Sequence, residues 1–345
     1  MPDTEIEGRT AERMLALAAE AEPQNVGADR VAWMDRLESN HGGLRAAFAW
    51  FLDHGKGAEA LRLAADLWLF QEERGHAEEA RAWLAKVLAA PGAEPRTLTR
   101  ARALYGAGIL AFRNLDEPAA QRAFEECLAI AREHDDASLI VQATTGFARL
   151  ALRRGDPREV RKWSEEALAV ARERGGKSDS ARPLHMLAAA ARIEGDLERA
   201  KSFYRENLAL NRELERPDWV TVELGNLGAL AVLEGNLAEA ASLLRECLEM
   251  AYKRKDMYLA PYQLVWLGRV ALAEGNPIRA ATLFAAARSV FDSTGLALDP
   301  DEAPEYEKGL AAIREALDEA AFGEAWAEGQ RMSFDEAVMF ALRPS

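Results

Sequence analysis

The run from Ala171 to Ser178 is the segment whose residue types and order come closest to a phosphate-binding loop, because it ends in Gly-Lys-Ser. Such a loop follows a strand and precedes a helix, so that its backbone N–H groups surround a phosphate. Here helix-forming residues precede the run, and Ala171 occupies the place of the first glycine. We therefore interpret Gly175-Gly176 as a turn between two helices and not as part of a nucleotide site.

The histidines are the next candidates for metal binding or nucleophilic catalysis. His134-Asp135-Asp136 has no further ligands at the spacing of a metal site, so we interpret it as a solvated turn. The other histidines are His41, His54, His76 and His185. None of these four has a cysteine or serine at the spacing of a catalytic nucleophile. The sequence therefore predicts no catalytic residues, no metal, no cofactor and no enzymatic activity.

The charge of the chain narrows the classes of partner. A formal net charge of −14 over 345 residues argues against general affinity for nucleic-acid phosphates or anionic lipid. Residues 1–30 hold 7 acids and 3 bases, and residues 299–345 hold 12 acids and 4 bases, so the acidity belongs to the ends. The acidic start is unlike a secretory signal, and no stretch approaches the roughly 18 apolar residues of a membrane span. We expect a cytoplasmic location without membrane contact, with Cys127 and Cys247 reduced.

The chain repeats a turn motif every 40 residues. A Gly-Asp or Gly-Asn pair begins at residues 155, 195, 235 and 275, and the same step reaches degenerate copies at Leu115-Asp116 and Gly75-His76. A small residue follows five positions after each turn begins, namely Ala80, Ala120, Val160, Ala200, Ala240 and Ala280. Apolar residues three and four apart flank every turn, which indicates two amphipathic helices. An irregular helical bundle has no reason to keep one period over six copies.

One repeat resembles a known family closely enough to imply a fold. The segment from Leu224 to Cys247 places large, small and turn residues in the order of a tetratricopeptide repeat (TPR). The resemblance implies an all-α, right-handed superhelical solenoid of antiparallel helix pairs, with repeats of about 40 residues in place of the usual 34. We expect N-terminal capping helices over residues 1–56, six TPR-like pairs over residues 57–298 and C-terminal capping helices over residues 299–345.

Both ends of the chain resemble a more specific class. The runs Trp33–Trp50 and Gly329–Leu342 are similar to the beginning and end of the MalT-like C-terminal arm of LuxR- and AfsR-type transcriptional regulators, ATP-binding proteins of the STAND class. The resemblance implies an arm that senses a ligand or partner and relays this to an ATPase. The 345 residues contain neither that ATPase nor a DNA-binding helix-turn-helix, so the chain is expected to be a fragment or a stand-alone relative.

The TPR resemblance also implies that the first helix of each pair lines a concave groove. Six inward places in each of the units that begin at 101, 141, 181, 221 and 261 give 30 positions, and these hold seven arginines and no acid. The predicted ligand-binding residues on this groove are Arg102, Tyr105, Phe112, Arg113, Arg149, Arg153, Arg182, His185, Arg192, Asn226, Tyr262, Trp266 and Arg269. Arginine and aromatic side chains suit a peptide with carboxylates or a small anionic ligand.

Two interpretations of this arginine stripe stay open. The arginines either bind a partner or pair with the acidic ends of the same chain and with glutamates of neighbouring repeats. The first predicts a non-catalytic sensor or scaffold arm that binds a protein, a peptide or a small anion. The alternatives to that function are an accessory interaction domain of a nucleotide cyclase or protein kinase, whose chains carry similar arms, and a self-assembly scaffold.

Overall fold

The structure is a computed structural model that describes residues 2–25, 29–91, 95–294, 298 and 302–343. Every regular element in these ranges is helical, and no strand occurs in them. The chain divides into two compact units, residues 1–190 and residues 191–345. Within the described ranges, no helix combines the length and the apolar character needed to cross a membrane. The predicted all-α class is confirmed.

The first unit consists of helix pairs that stack in chain order. Its helices are α1 (Pro2–Ala21), α2 (Arg30–Ser39), α3 (His41–Asp53), α4 (Gly57–Glu73), α5 (Ala77–Leu88), α6 (Leu98–Arg113), α7 (Glu117–Glu133), α8 (Ala137–Arg153), α9 (Pro157–Arg174) and, up to Ala190, α10 (Ala181–Ile193). Short 3-10 helices span Glu22–Asn25 and Lys177–Ser180. The pairs are α4 with α5, α6 with α7 and α8 with α9, and α6 also packs on α4 and α8.

The second unit repeats this arrangement and ends in three helices. Its helices after α10 are α11 (Leu197–Glu213), α12 (Pro217–Leu233), α13 (Leu237–Lys253), α14 (Ala260–Ala273), α15 (Pro277–Thr294), α16 (Ala303–Ala316), α17 (Glu319–Arg331) and α18 (Phe334–Leu342). α12 pairs with α13 and α14 with α15, while α17 packs on α15. Ser333 and Glu336 form a capping box at the start of α18, since each side chain binds the backbone of the other.

The 40-residue frame is visible in the backbone of the turns. One residue in each turn has a positive φ: 84° at Gly75, 62° at Leu115, 69° at Gly155, 81° at Gly195, 79° at Gly235 and 82° at Gly275. A residue in this left-handed conformation ends a helix and lets the chain reverse, which is why glycine is favoured there. Leu115 adopts the same conformation without being glycine, so the degenerate turn keeps the geometry.

A second set of turns lies about 20 residues from the first, and three of its members have a residue other than glycine at the position of positive φ. Asp135, Glu215 and Lys255 have φ values of 52°, 51° and 55°. Asp136 accepts a hydrogen bond from Leu139 N at 2.9 Å and caps α8. The His134-Asp135-Asp136 segment is thus the predicted turn between repeats.

Most aspartates and asparagines that follow the glycines cap the next helix. Asp116, Asp156 and Asp196 each accept a hydrogen bond from a backbone N–H at 3.1 Å, and Asn276 does the same from Arg279 N at 3.1 Å. Asn236 differs, because its side-chain amide donates to Glu234 Oε2 at 3.1 Å and makes no capping bond.

Small side chains let the two helices of a pair approach closely. The residues five positions after each turn begins, from Ala80 to Ala280, are fully buried. Gly228 on α12 faces Leu244 on α13, where a Cβ at Gly228 would lie 2.6 Å from Leu244 Cγ. No side chain fits in that space, so the pair depends on the small residue.

Candidate ligand-binding site

Arg149 is a predicted groove residue for which the described part of the chain provides no anionic partner. It lies on the last turn but one of α8, and its side chain is partly buried. It makes no hydrogen bond, ion pair or ring contact with any residue in the described part of the chain. The pKa of Arg149 is lowered to about 10, mainly by burial and next by the guanidinium group of Arg182; Tyr105 acts in the opposite direction, and Arg113 adds a smaller lowering effect.

The two preceding arginines of the stripe are paired with acids on α4. Arg102 Nη2 lies 3.0 Å from Asp66 Oδ1, whose side chain is only 2% exposed. Arg113 forms an ion pair with Glu72, which is also mostly buried. These arginines therefore act as counter-ions inside the fold.

The repeat pattern could have located these two acids, but the unit that contains them was not among the five in which the inward positions were counted. The unit one step earlier begins at residue 61, and its corresponding inward places include Asp66 and Glu72. The acid-free stripe thus begins only at residue 101, and its first arginines face the acids of the preceding repeat. Arg149 stands one repeat further along, where the neighbouring inward places carry Arg113 and Arg182 instead.

Arg153 and Phe112 contact each other directly. The Arg153 guanidinium lies over the Phe112 ring, 3.5 Å from its centroid, and Nη1 donates a hydrogen bond to the Phe112 carbonyl oxygen. This geometry is a cation–π contact between adjacent first helices. Burial lowers the pKa of Arg153, and Glu117 acts in the opposite direction.

The predicted tyrosines and tryptophan are core residues and do not present open ring faces. Tyr105 is 8% exposed and packs edge-on against Trp68, with ring centroids 5.9 Å apart. Tyr262 is 6% exposed and packs edge-on against Phe291, with ring centroids 5.2 Å apart. Trp266 is 3% exposed. Tyrosine and tryptophan at helical spacing fill the space between helices here.

Two further predicted residues, at the start of α10, differ in exposure. Arg182 is exposed, and His185, one turn later, is partly buried. Arg182 acts on Arg149 through its charge. The electrostatic effects of Arg113 and Arg182 on Arg149 place the three arginines of the first unit near one another, and we call them the arginine cluster.

In the second unit, glutamates at the start of α16 form ion pairs and a hydrogen bond with three of the predicted groove residues. Arg192 Nη1 lies 2.8 Å from Glu302 Oε1, and Trp266 Nε1 donates to Glu302 Oε2 at 3.1 Å. Arg269 pairs with Glu305, and its guanidinium lies 5.0 Å from the Trp266 ring centroid. This is the internal pairing with the acidic end of the chain that the sequence left open. Asn226, on α12, is partly buried.

Two surface depressions lie away from all of these residues. One lies between α17 and α18 and is lined by Glu328, Arg331 and Phe340 among others. The other lies between α7, α8 and α9 and is lined by Arg132 and Trp163 among others. Both have mixed charge and contain no predicted groove residue, so the arginine cluster is the stronger candidate for anion binding.

Comparison with known proteins supports the fold alone. No protein-family model matches the chain, and no curated protein matches its sequence. Aspartyl phosphate phosphatase F from Bacillus subtilis has a similar structure, with 10% identity, a TM-score of 0.61, and coverage of 95% of this chain and 94% of that chain. The Rap conjugation gene regulator of plasmid pLS20, in complex with the Phr* peptide, has 15% identity and a TM-score of 0.54, over 91% of this chain and 97% of that chain.

A third solved structure with a similar fold is longer than this chain. It is a STAND signal-transduction ATPase with a tetratricopeptide repeat sensor from Pyrococcus horikoshii, with 13% identity and a TM-score of 0.56, and the match covers 95% of this chain and 55% of that one. Together with the helix pairs described above, these matches confirm the predicted TPR-like solenoid class.

Proposed function

We propose that the chain is a non-catalytic, TPR-type interaction module that binds an acidic peptide or a small organic anion, with Arg149 as the residue that receives a carboxylate. The observation that carries this proposal is the burial of Arg149 without an anionic partner. Its guanidinium is partly buried beside Arg113 and Arg182, and it has no anionic partner in the described part of the chain.

The physical reason is the free energy of an uncompensated charge. A guanidinium that loses part of its hydration without gaining a counter-ion destabilises the protein that contains it. A carboxylate that binds Arg149 restores the missing interaction and does so through a planar, two-pronged donor. Arg102 and Arg113 are already fixed by Asp66 and Glu72, so part of the surrounding surface is ordered before a ligand arrives.

The proposed ligand class is an extended acidic peptide. Rows of first helices offer side chains at regular intervals, which suits a chain-like ligand better than a compact one. The structurally similar pLS20 regulator was solved with a peptide bound. Small dicarboxylates and phosphate esters also carry negative charge that arginine can bind, so they are expected to compete.

The proposed setting is a signal-transduction or transcriptional regulator in the cytoplasm. The resemblance of Trp33–Trp50 and Gly329–Leu342 to the ends of MalT-like arms supports this, as does the fold similarity to a STAND protein with a TPR sensor. The net charge of −14 favours a protein or peptide partner over direct contact with nucleic acid or an anionic membrane.

A peptide-binding screen tests the proposal. Fluorescently labelled acidic peptides and matched basic peptides are titrated with wild type, Arg149→Gln and the control Arg122→Gln, which removes an exposed positive charge on α7. We expect at least one acidic peptide to bind wild type and Arg122→Gln equally, and Arg149→Gln at least about tenfold more weakly. Arg192→Ala should weaken binding less, because Glu302 already pairs with Arg192. Equal binding of the acidic peptides by all variants would contradict the proposal.

A further inference from the structure

Three segments of the first unit bring two histidines and a glutamate together. Glu38 lies near the end of α2, His41 begins α3, and His76 precedes α5. One carboxylate oxygen and one nitrogen of each imidazole lie within 4.8 Å of one another. His41 and His76 are 35 residues apart, so their sequence spacing gave no signal of a common site.

The two imidazoles are stacked and oriented in a specific way. Their ring centroids are 4.0 Å apart, with an angle of 29° between the planes. His76 Nε2 lies 3.2 Å from both carboxylate oxygens of Glu38, and His41 Nε2 lies 2.6 Å from Glu79 Oε2. Both Nε2 atoms therefore face carboxylates.

The surrounding charges favour a cation. Glu38 and Glu79 bring two carboxylates to the imidazoles, and Arg45 Nε lies 2.7 Å from Glu79 Oε1. Arg45 thus contacts Oε1 of Glu79, whereas Oε2 of the same carboxylate faces His41. Such a carboxylate–imidazole contact orients histidine ligands around bound metal ions.

We propose that Glu38, His41 and His76 form a binding site for a divalent transition-metal ion, with Zn²⁺ as the reference cation. Two imidazole nitrogens and one carboxylate are a donor set that Zn²⁺ and its neighbours accept, and a water molecule can complete a tetrahedron. Ligand atoms around tetrahedral Zn²⁺ lie roughly 3.3 Å apart, given bond lengths of about 2.0 Å. The Glu38 side chain is 41% exposed and can rotate to close the remaining distance.

Metal binding would connect α2, α3 and the turn before α5. α2 and α3 contain the Trp33–Trp50 run, and α5 belongs to the first TPR-like pair. Since none of these groups touches the arginine cluster, the metal proposal and the proposed peptide function stand or fall separately.

The test uses the full chain, purified without a metal-affinity tag and treated with chelator. Zn²⁺ binding is measured by competition with a chromophoric chelator for wild type, His76→Gln, Glu38→Gln and the control His54→Gln. His54 binds the Trp50 carbonyl oxygen and stacks on the Trp50 ring outside the cluster. We expect one Zn²⁺ per chain in wild type and His54→Gln, and at least about tenfold weaker binding in the two cluster variants.

Thermal unfolding provides a second readout. Zn²⁺ should raise the Tm of wild type and His54→Gln by about 5 °C or more at saturation, and should raise the Tm of His76→Gln and Glu38→Gln clearly less at the same Zn²⁺ concentration. Glu38 is exposed, so Glu38→Gln keeps the test valid if His76→Gln does not fold. Equal Zn²⁺ affinity in wild type and Glu38→Gln, or no Zn²⁺ binding by wild type, would overturn the proposal.

Discussion

Arg192 and Glu302 form a largely buried ion pair although 110 residues separate them in sequence: Nη1 lies 2.8 Å from Oε1, and the side chains are 9% and 17% exposed. The same carboxylate accepts a hydrogen bond from Trp266. Part of the acidity of the C-terminal segment therefore neutralises arginines of the second unit. The sequence predicted arginines on the groove and acids in residues 299–345, but it did not show whether the two sets pair with each other.

Replacing Glu302 should destabilise the protein more than replacing a nearby exposed acid. Glu302→Gln leaves Arg192 partly buried without its carboxylate, so we expect the free energy of unfolding to fall by about 2 kcal/mol. The matched control is Glu307→Gln on the exposed side of α16. Urea denaturation measures both, and equal losses in the two variants would show that the ion pair contributes nothing.

A substitution at Leu115 should increase stability and tests the turn geometry. Its φ is 62°, and its side chain is 76% exposed, so the residue bears backbone strain without filling the core. Leu115→Gly should raise the free energy of unfolding by about 1 kcal/mol, because glycine adopts this conformation readily. Leu115→Ala removes the same exposed side chain but keeps the Cβ. A similar gain in Leu115→Ala would assign the effect to the side chain and contradict the backbone explanation.

Asp66 should make stability depend on pH. Burial raises the pKa of Asp66 above its ordinary value of 3.8, while Arg102 acts in the opposite direction. The folded state therefore binds this proton more tightly than the unfolded state does. Its stabilising contribution is complete below about pH 3.8 and is lost as the pH rises through the raised pKa.

The measurement is the difference in unfolding free energy between wild type and Asp66→Asn, which has no proton to bind. We expect the unfolding free energy of wild type to rise relative to that of the variant when the pH falls from 7 to 4. A difference that is constant over this range, or that changes in favour of the variant at low pH, would contradict the raised pKa.

The periodic part of the fold followed from the sequence because each repeat uses the same turn. Gly155, Gly195, Gly235 and Gly275 fixed a frame that also located Leu115, and the small residues after them are buried as expected. Periodicity predicts which face of a helix points inward. It does not predict which charges on that face neutralise one another.

The contacts that decide the site are not periodic. Asp66 compensates Arg102 from the preceding repeat, whereas Glu302 reaches Arg192 from beyond the repeats, and only three-dimensional proximity connects each pair. Arg149 looked like any other arginine of the stripe in the sequence. It differs from the others because it has no anionic partner in the described structure. Only the positions of the neighbouring side chains could show this.

The central claim is that Arg149 is kept for a ligand at a cost in stability. We expect Arg149→Met to be more stable than wild type without ligand, by about 1 kcal/mol, because an uncompensated charge is replaced by an apolar chain of similar length. The acidic peptide should stabilise wild type and have no effect on the variant.

The most direct test is urea unfolding of wild type and Arg149→Met, each with and without a saturating acidic peptide. The predicted result is a more stable variant without peptide and a peptide-dependent increase in unfolding free energy in wild type alone. A variant that is less stable than wild type and is stabilised equally by the peptide would show that Arg149 serves the fold and not a ligand.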